Sequence, residues 1–204
     1  THIVEIDTTP PSIPSPSTDS PVNNINPMWS WSEDSDAVEY EVVLNGVVQG
    51  NQTQTTFTAT ALKNGNHEIK VRAKDAVGNY SAFGSHFVYI DTIPPIVPLP
   101  TSIEITSNST PTWNWVDIQD AELYEVVLNN IPQGEQTENS FTSKTTLTDG
   151  VHEIRVRAKD AVGNYSAYGI HIVTIDLTAP SIPQPNTSSP TNNNKPVWIW
   201  NAIS

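Results

Sequence analysis

Two nine-residue stretches of this 204-residue chain are identical: Lys74–Ala82 and Lys159–Ala167 both read KDAVGNYSA. Each sets an aspartate and an asparagine four residues apart, with a glycine before the asparagine: Asp75/Asn79 and Asp160/Asn164. Further acidic residues lie upstream, Asp7, Glu33, Asp34 and Asp36 for the first stretch and Asp91, Asp117 and Asp120 for the second. Oxygen ligands of this kind suit Ca²⁺, which takes about six to eight of them in loose geometry. The same residues also suit a hairpin turn, where Asp accepts hydrogen bonds from the backbone ahead of it and Gly supplies a positive φ.

Other groups invite a chemical reading and have a plainer one. Trp29/Trp31 and Trp113/Trp115 stand two apart, as in a sugar-stacking platform. They also follow a proline in each copy, and rings of that size more often fill a core. The basic stripe Lys70, Arg72, Lys74 and its copy Arg155, Arg157, Lys159 would suit an anion or a polysaccharide. It faces Glu39 and Glu41, or Glu125, on the expected neighbouring strand, so cross-strand ion pairs are favoured. The histidines (His67/His152 and His2/His86/His171) lack the converging partners that zinc or a general base requires. Ser81 and Ser166 lack a His/Asp arrangement that would make them nucleophiles. Five Asn-x-Ser/Thr sequons, at Asn51, Asn79, Asn108, Asn164 and Asn186, matter only in a glycosylating pathway and arise readily in so Asn- and Thr-rich a chain. Taken together, these residues predict a non-catalytic protein.

The elements that must position these residues are repeated with them. An Ile-Asp pair before a proline-containing segment occurs at Asp7, Asp91 and Asp176, and a Pro-x-Trp-x-Trp element at Pro27–Trp31, Pro111–Trp115 and Pro196–Trp200. Tyr40–Asn45 (YEVVLN) returns as Tyr124–Asn129. A fixed period of this length marks an array of one structural unit. The frame predicts the last strand of a preceding repeat over 1–7, complete repeats over 8–91 and 92–176, and the opening strands of another over 177–204, as in a window on a longer array. Within a unit, apolar and polar residues alternate with period two, most clearly in His67–Lys74 (HEIKVRAK). Turn signals such as Asn45-Gly46 and Gly78-Asn79 separate the runs. About seven strands are expected per repeat, the first unit's being Ser12–Pro16, Pro27–Ser32, Val38–Leu44, Val47–Gln49, Gln54–Thr58, His67–Asp75 and Ala82–Ile90. That count in about 85 residues predicts an all-β chain of tandem Greek-key β-sandwiches joined by Pro-rich linkers.

A Trp-bearing second strand, Tyr-Glu-Val on the third, and a Val-Arg-Ala strand leading to a Gly-Asn-x-Ser hairpin resemble fibronectin type III and bacterial Ig-like repeats. The run VRAKDAVGNYSA, with the Ile-Asp element after it, resembles in particular the tandem units of large bacterial surface adhesins. In such a sandwich the loops holding Asp7, Asp34, Asp36, Asp75 and Asn79 gather at one pole of the first unit. Those holding Asp91, Asp117, Asp120, Asp160 and Asn164 gather at the same pole of the second. Clustered carboxylates without a nearby Lys repel unless solvated or bridged by a cation. The resemblance implies junctional Ca²⁺, held by the linker aspartates (Asp7, Asp91, Asp176) and those of the hairpins (Asp75, Asp160). Against it stands the absence of a DxDxDG loop or a glycine-rich nonapeptide.

Composition narrows the partners. A net charge of −13 with nine Lys+Arg opposes binding to nucleic acid and to anionic membranes. No apolar run is long enough to span a bilayer, and with no cysteine there are neither disulfides nor thiolate sites. The resulting expectation is a rigid, extracellular, non-catalytic stalk or filament segment of a long bacterial surface protein or adhesin, its partners being neighbouring repeats of the same chain. The alternatives are a self-assembling fibre or surface-layer subunit, in which like chains associate, and an accessory carbohydrate-binding or spacer module of a secreted enzyme. Exposed aromatics in only some copies would favour the last.

Overall fold

The computed structural model describes residues 2, 4–183, 185–186, 194–195 and 197–200, and its regular structure is β throughout. Thr1, Ile3 and Pro196, on which parts of the expected flanking repeats fall, lie outside the described residues. By their contacts, residues 1–97 with 118–123 and 158–167 form one compact unit, and the remaining segments a second.

The first sandwich pairs two sheets. In one, β1 (Met28–Ser30) lies antiparallel to β4 (Thr56–Thr58). The other has the order β3 (Val47–Gln52), β2 (Glu39–Leu44), β5 (Gly65–Lys74), β6 (Gly84–Ile90). The period-two pattern places Ile69, Val71 and Ala73 of β5 in the core together with Val42, Val88 and Ile90. Each aliphatic side chain as large as Val or Ile buried in this way contributes about 1.5–3 kcal/mol. Trp29 is 0% exposed and packs on Phe57 with ring centroids 6.4 Å apart, while Trp31 meets Tyr40 edge-on at 5.6 Å. The second sandwich repeats this with Trp113 on Phe141 and Trp115 against Tyr124. The indole N–H of all four tryptophans is buried without a partner, so these rings supply volume to the core, not a sugar platform.

The second sandwich comprises β7 (Ile105–Thr106), β8 (Thr112–Asn114), β9 (Leu123–Leu128), β10 (Ile131–Gln136), β11 (Ser140–Thr142), β12 (Gly150–Lys159) and β13 (Gly169–Ile175). Its sheets are β11-β8 and β10-β9-β12-β13-β7. A further pair, β14 (Pro185–Asn186) and β15 (Ile199–Trp200), is antiparallel.

The expected first strand, Ser12–Pro16, does not form. Pro10, Pro11, Pro14 and Pro16 lack the N–H a ladder requires, and the segment pairs only through single bridges, Ser17 with Ser30 and Val22, in parallel, with Ile90. In the second sandwich the parallel contact grows into β7 alongside β13. The proline segment still docks closely. A Cβ on Gly84 would lie 1.7 Å from the Pro14 carbonyl oxygen, and one on Gly169 1.6 Å from that of Pro98. Val47–Gln49 extends to Gln52 by way of a bulge opposite Val42/Val43. The Asn45-Gly46 turn takes the positive φ values, 51° and 78°, of a tight hairpin.

Candidate functional site

The identical stretches form hairpins between β5 and β6 and between β12 and β13. In the first, Asp75 Oδ1 accepts from the backbone N–H groups of Val77, Gly78 and Asn79 at 3.0, 2.7 and 2.8 Å, and Oδ2 accepts from Asn79 Nδ2 at 2.7 Å. Gly78 supplies φ 105°. Ser81 Oγ accepts from the Ala73 N–H and donates to the Ala82 carbonyl, closing the ends of the turn. In the second, Asp160 accepts from the N–H groups of Val162 and Asn164 and from Asn164 Nδ2, with Gly163 at φ 91°. Asp75 is 2% exposed. Burial works to raise its carboxyl pKa, but the amide groups of Asn79, Gly78 and Val77 together outweigh burial and hold it below the ordinary value of 3.8.

The asparagine has a second task. Asn79 Nδ2 also donates to the backbone carbonyl of Asp7 at 3.2 Å, and Asn164 Nδ2 to that of Asp91 at 3.0 Å. What reaches the linker residue is thus an amide donor meeting a main-chain carbonyl. The linker carboxylates turn elsewhere: Asp7 accepts from the Thr9 N–H, Asp91 from Ile93 and Asp176 from Thr178, each capping the start of the following segment. Asp34 accepts from the N–H groups of Asp36 and Ser12, and Asp117 from the Tyr124 hydroxyl. Asp36 and Asp120 are exposed.

The candidate Ca²⁺ ligands are engaged within their own hairpins. Asp75 Oδ1 accepts from three N–H groups, and Asn79 and Asn164 each turn Nδ2 toward the aspartate and the linker carbonyl. Among the described residues no three carboxylate or histidine side chains come together to hold a metal ion. We therefore expect 5 mM Ca²⁺ and excess EDTA to give the same melting temperature (~5 mM being ample for the weakest extracellular Ca²⁺ sites). A rise of several degrees with Ca²⁺ would establish a metal at the junction and overturn this expectation. The hairpin also predicts an acid limb. Because the folded pKa of Asp75 is depressed, its contribution is fully present above the unfolded value and is lost as pH falls through the folded one. Melting of the first sandwich should therefore weaken below about pH 4. Asp75→Asn should lower the melting temperature at pH 7 and flatten that limb; an unchanged limb would contradict the assignment.

Three cations of the basic stripe are taken up across the strands, while Lys70 and Arg155 pair along their own strands with Glu68 and Glu153. Arg72 Nη2 meets Glu41 at 2.5 Å, Lys74 Nζ meets Glu39 at 2.7 Å and Arg157 Nη2 meets Glu125 at 2.5 Å. Arg72 also lies over the rings of Tyr80 and Phe83 at 4.1 and 4.8 Å. His67 lies between Asn45 Nδ2 and the Lys63 carbonyl, and His152 repeats the arrangement with Asn129 and Thr148. Exposed rings occur elsewhere than at these buried tryptophans: Phe87 is 60% and Tyr89 44% exposed on β6. Their alternation with buried Val88 and Ile90 was the available signal.

Comparison with known proteins agrees with this architecture. The family model "Bacterial Ig-like domain" matches residues 6–92. Exoglucanase B of Cellulomonas fimi is 29% identical over 96% of the chain, and chitinase A1 of Niallia circulans 32% identical over 79%. The chain spans only 20% and 25% of the lengths of those two relatives. Among solved structures, the fibronectin(III)-like modules of Clostridium thermocellum CbhA share the fold with a TM-score of 0.52 at 14% identity, covering 80% of this chain and 94% of that one. A chain from a 1.5-MDa bacterial ice-binding adhesin gives 0.50 at 16% identity, covering 90% and 71%. Residues 6–92 thus match the bacterial Ig-like domain, and their strand order and motifs recur in the sandwich that follows.

Proposed function

We propose that this chain is a non-catalytic spacer in a longer extracellular protein, its sandwiches setting the distance between whatever lies on either side. The observation that carries the reading is the fate of the copied residues. The tryptophans fill cores, Asp75 and Asp160 bind their own hairpins, Gly84 and Gly169 admit a passing backbone, and the cations pair across strands. What duplication preserved is the means of folding. The proline-dense linker Asp91–Pro100 favours extended backbone, which supports stiffness. In this reading the chain belongs to the stalk of a bacterial surface protein.

A second reading, a spacer module of a secreted polysaccharide-degrading enzyme, is favoured by the exoglucanase and chitinase relatives. Both require that the chain itself lack activity. Incubated with cellulose or chitin, the purified chain should release no reducing sugar above a buffer blank; turnover that persists through repurification would end the spacer proposal.

A further inference from the structure

The outer face of β5 and β6 differs between the two sandwiches where a ligand would touch it. On β6, Phe87 and Tyr89 point away from the core, 60% and 44% exposed. Their counterparts on β13 are Ile172 and Thr174. The buried tryptophans, the hairpin aspartates and the two close-approach glycines recur in both sandwiches, whereas these two exposed rings have no aromatic counterpart. Two residues apart on one strand, they stand roughly 7 Å from each other, close enough for one short stretch of glycan to lie across both. Asn66 and Glu68 lie directly opposite them on β5, with Ser85 further along β6, a hydrogen-bonding rim for sugar hydroxyls.

Charge selects the class of partner. The outward cations of β5 are all paired, Lys70 with Glu68, Arg72 with Glu41 and Lys74 with Glu39. The face therefore offers no unpaired cation to a polyanion, and the chain's −13 charge repels polyanions and opposes self-association. We infer that Phe87 and Tyr89 form a stacking contact for a neutral β-linked glycan, confined to the first sandwich. The inference rests on the second reading above, a module that works beside a polysaccharide.

Affinity electrophoresis in gels containing hydroxyethylcellulose tests it, with polygalacturonate as the charged control. The wild-type chain and Ile172→Ala should both be retarded by the neutral polymer. Phe87→Ala/Tyr89→Ala should bind at least about tenfold more weakly, the loss of two ring contacts, while melting like the wild type because both rings are exposed. Equal retardation of the double variant, no retardation of the wild type, or stronger retention by polygalacturonate would overturn the inference. So would a concentration-dependent dimer that the double variant abolishes, which would put a second copy on this face. A negative result here leaves the spacer reading intact, since that is tested on the other sandwich.

Discussion

Trp29→Ala is expected to cost the first sandwich about 3–5 kcal/mol, the usual range for removing a fully buried aromatic side chain. A domain of this size holds only about 5–15 kcal/mol in total, so the variant should be largely unfolded at moderate temperature. The magnitude follows from position. Trp29 is wholly buried on β1, tilted against Phe57, and its loss leaves a void in the core that Ile69, Val71 and Val88 cannot close without leaving their own strands. The chain contains its own control. Phe87, a ring of the same sandwich, is 60% exposed, and Phe87→Ala should leave melting nearly unchanged. Urea unfolding of the three proteins reads the difference. A loss below ~1 kcal/mol at Trp29 would mean that the ring is not the keystone of its core.

Gly84→Ala should be nearly as damaging for a different reason. The added methyl would sit 1.7 Å from the Pro14 carbonyl oxygen, and neither atom belongs to a flexible side chain that can swing aside. Either β6 or the proline segment must move, so the cost should reach or exceed the upper end of the about 1–3 kcal/mol typical of overpacking. The neighbouring Ser85→Ala, exposed on the same strand, should be silent. Gly169→Ala should reproduce the effect in the second sandwich through Pro98. Wild-type melting of Gly84→Ala would show that the segment is not seated on β6.

Much of this could be read before any coordinates. Alternation in HEIKVRAK places Ile69, Val71 and Ala73 inside because successive strand residues face opposite ways. The same rule brings Glu39 and Glu41 to the cations of β5. The proline-rich entry segment was harder, since the apolar residues between its prolines suggested a strand that its missing N–H groups cannot sustain. The acidic residues were hardest. Counting carboxylates at one pole says nothing of where each oxygen points, and a hairpin that turns three N–H groups onto Asp75 Oδ1 depends on backbone direction, not on composition. Phe87 and Tyr89 were legible in principle, opposite in phase to Val88 and Ile90, but their meaning appears only when Ile172 and Thr174 are set beside them.

The spacer account is tested most directly in the intact protein that carries this chain. Residues 92–176 would be replaced by an unrelated sandwich of similar length or, separately, deleted, with adhesion or substrate turnover by the whole protein as the readout. The account predicts that the replacement behaves as the wild type while the deletion alters the readout. A replacement as damaging as the deletion would show that this sandwich contributes specific chemistry and would contradict it.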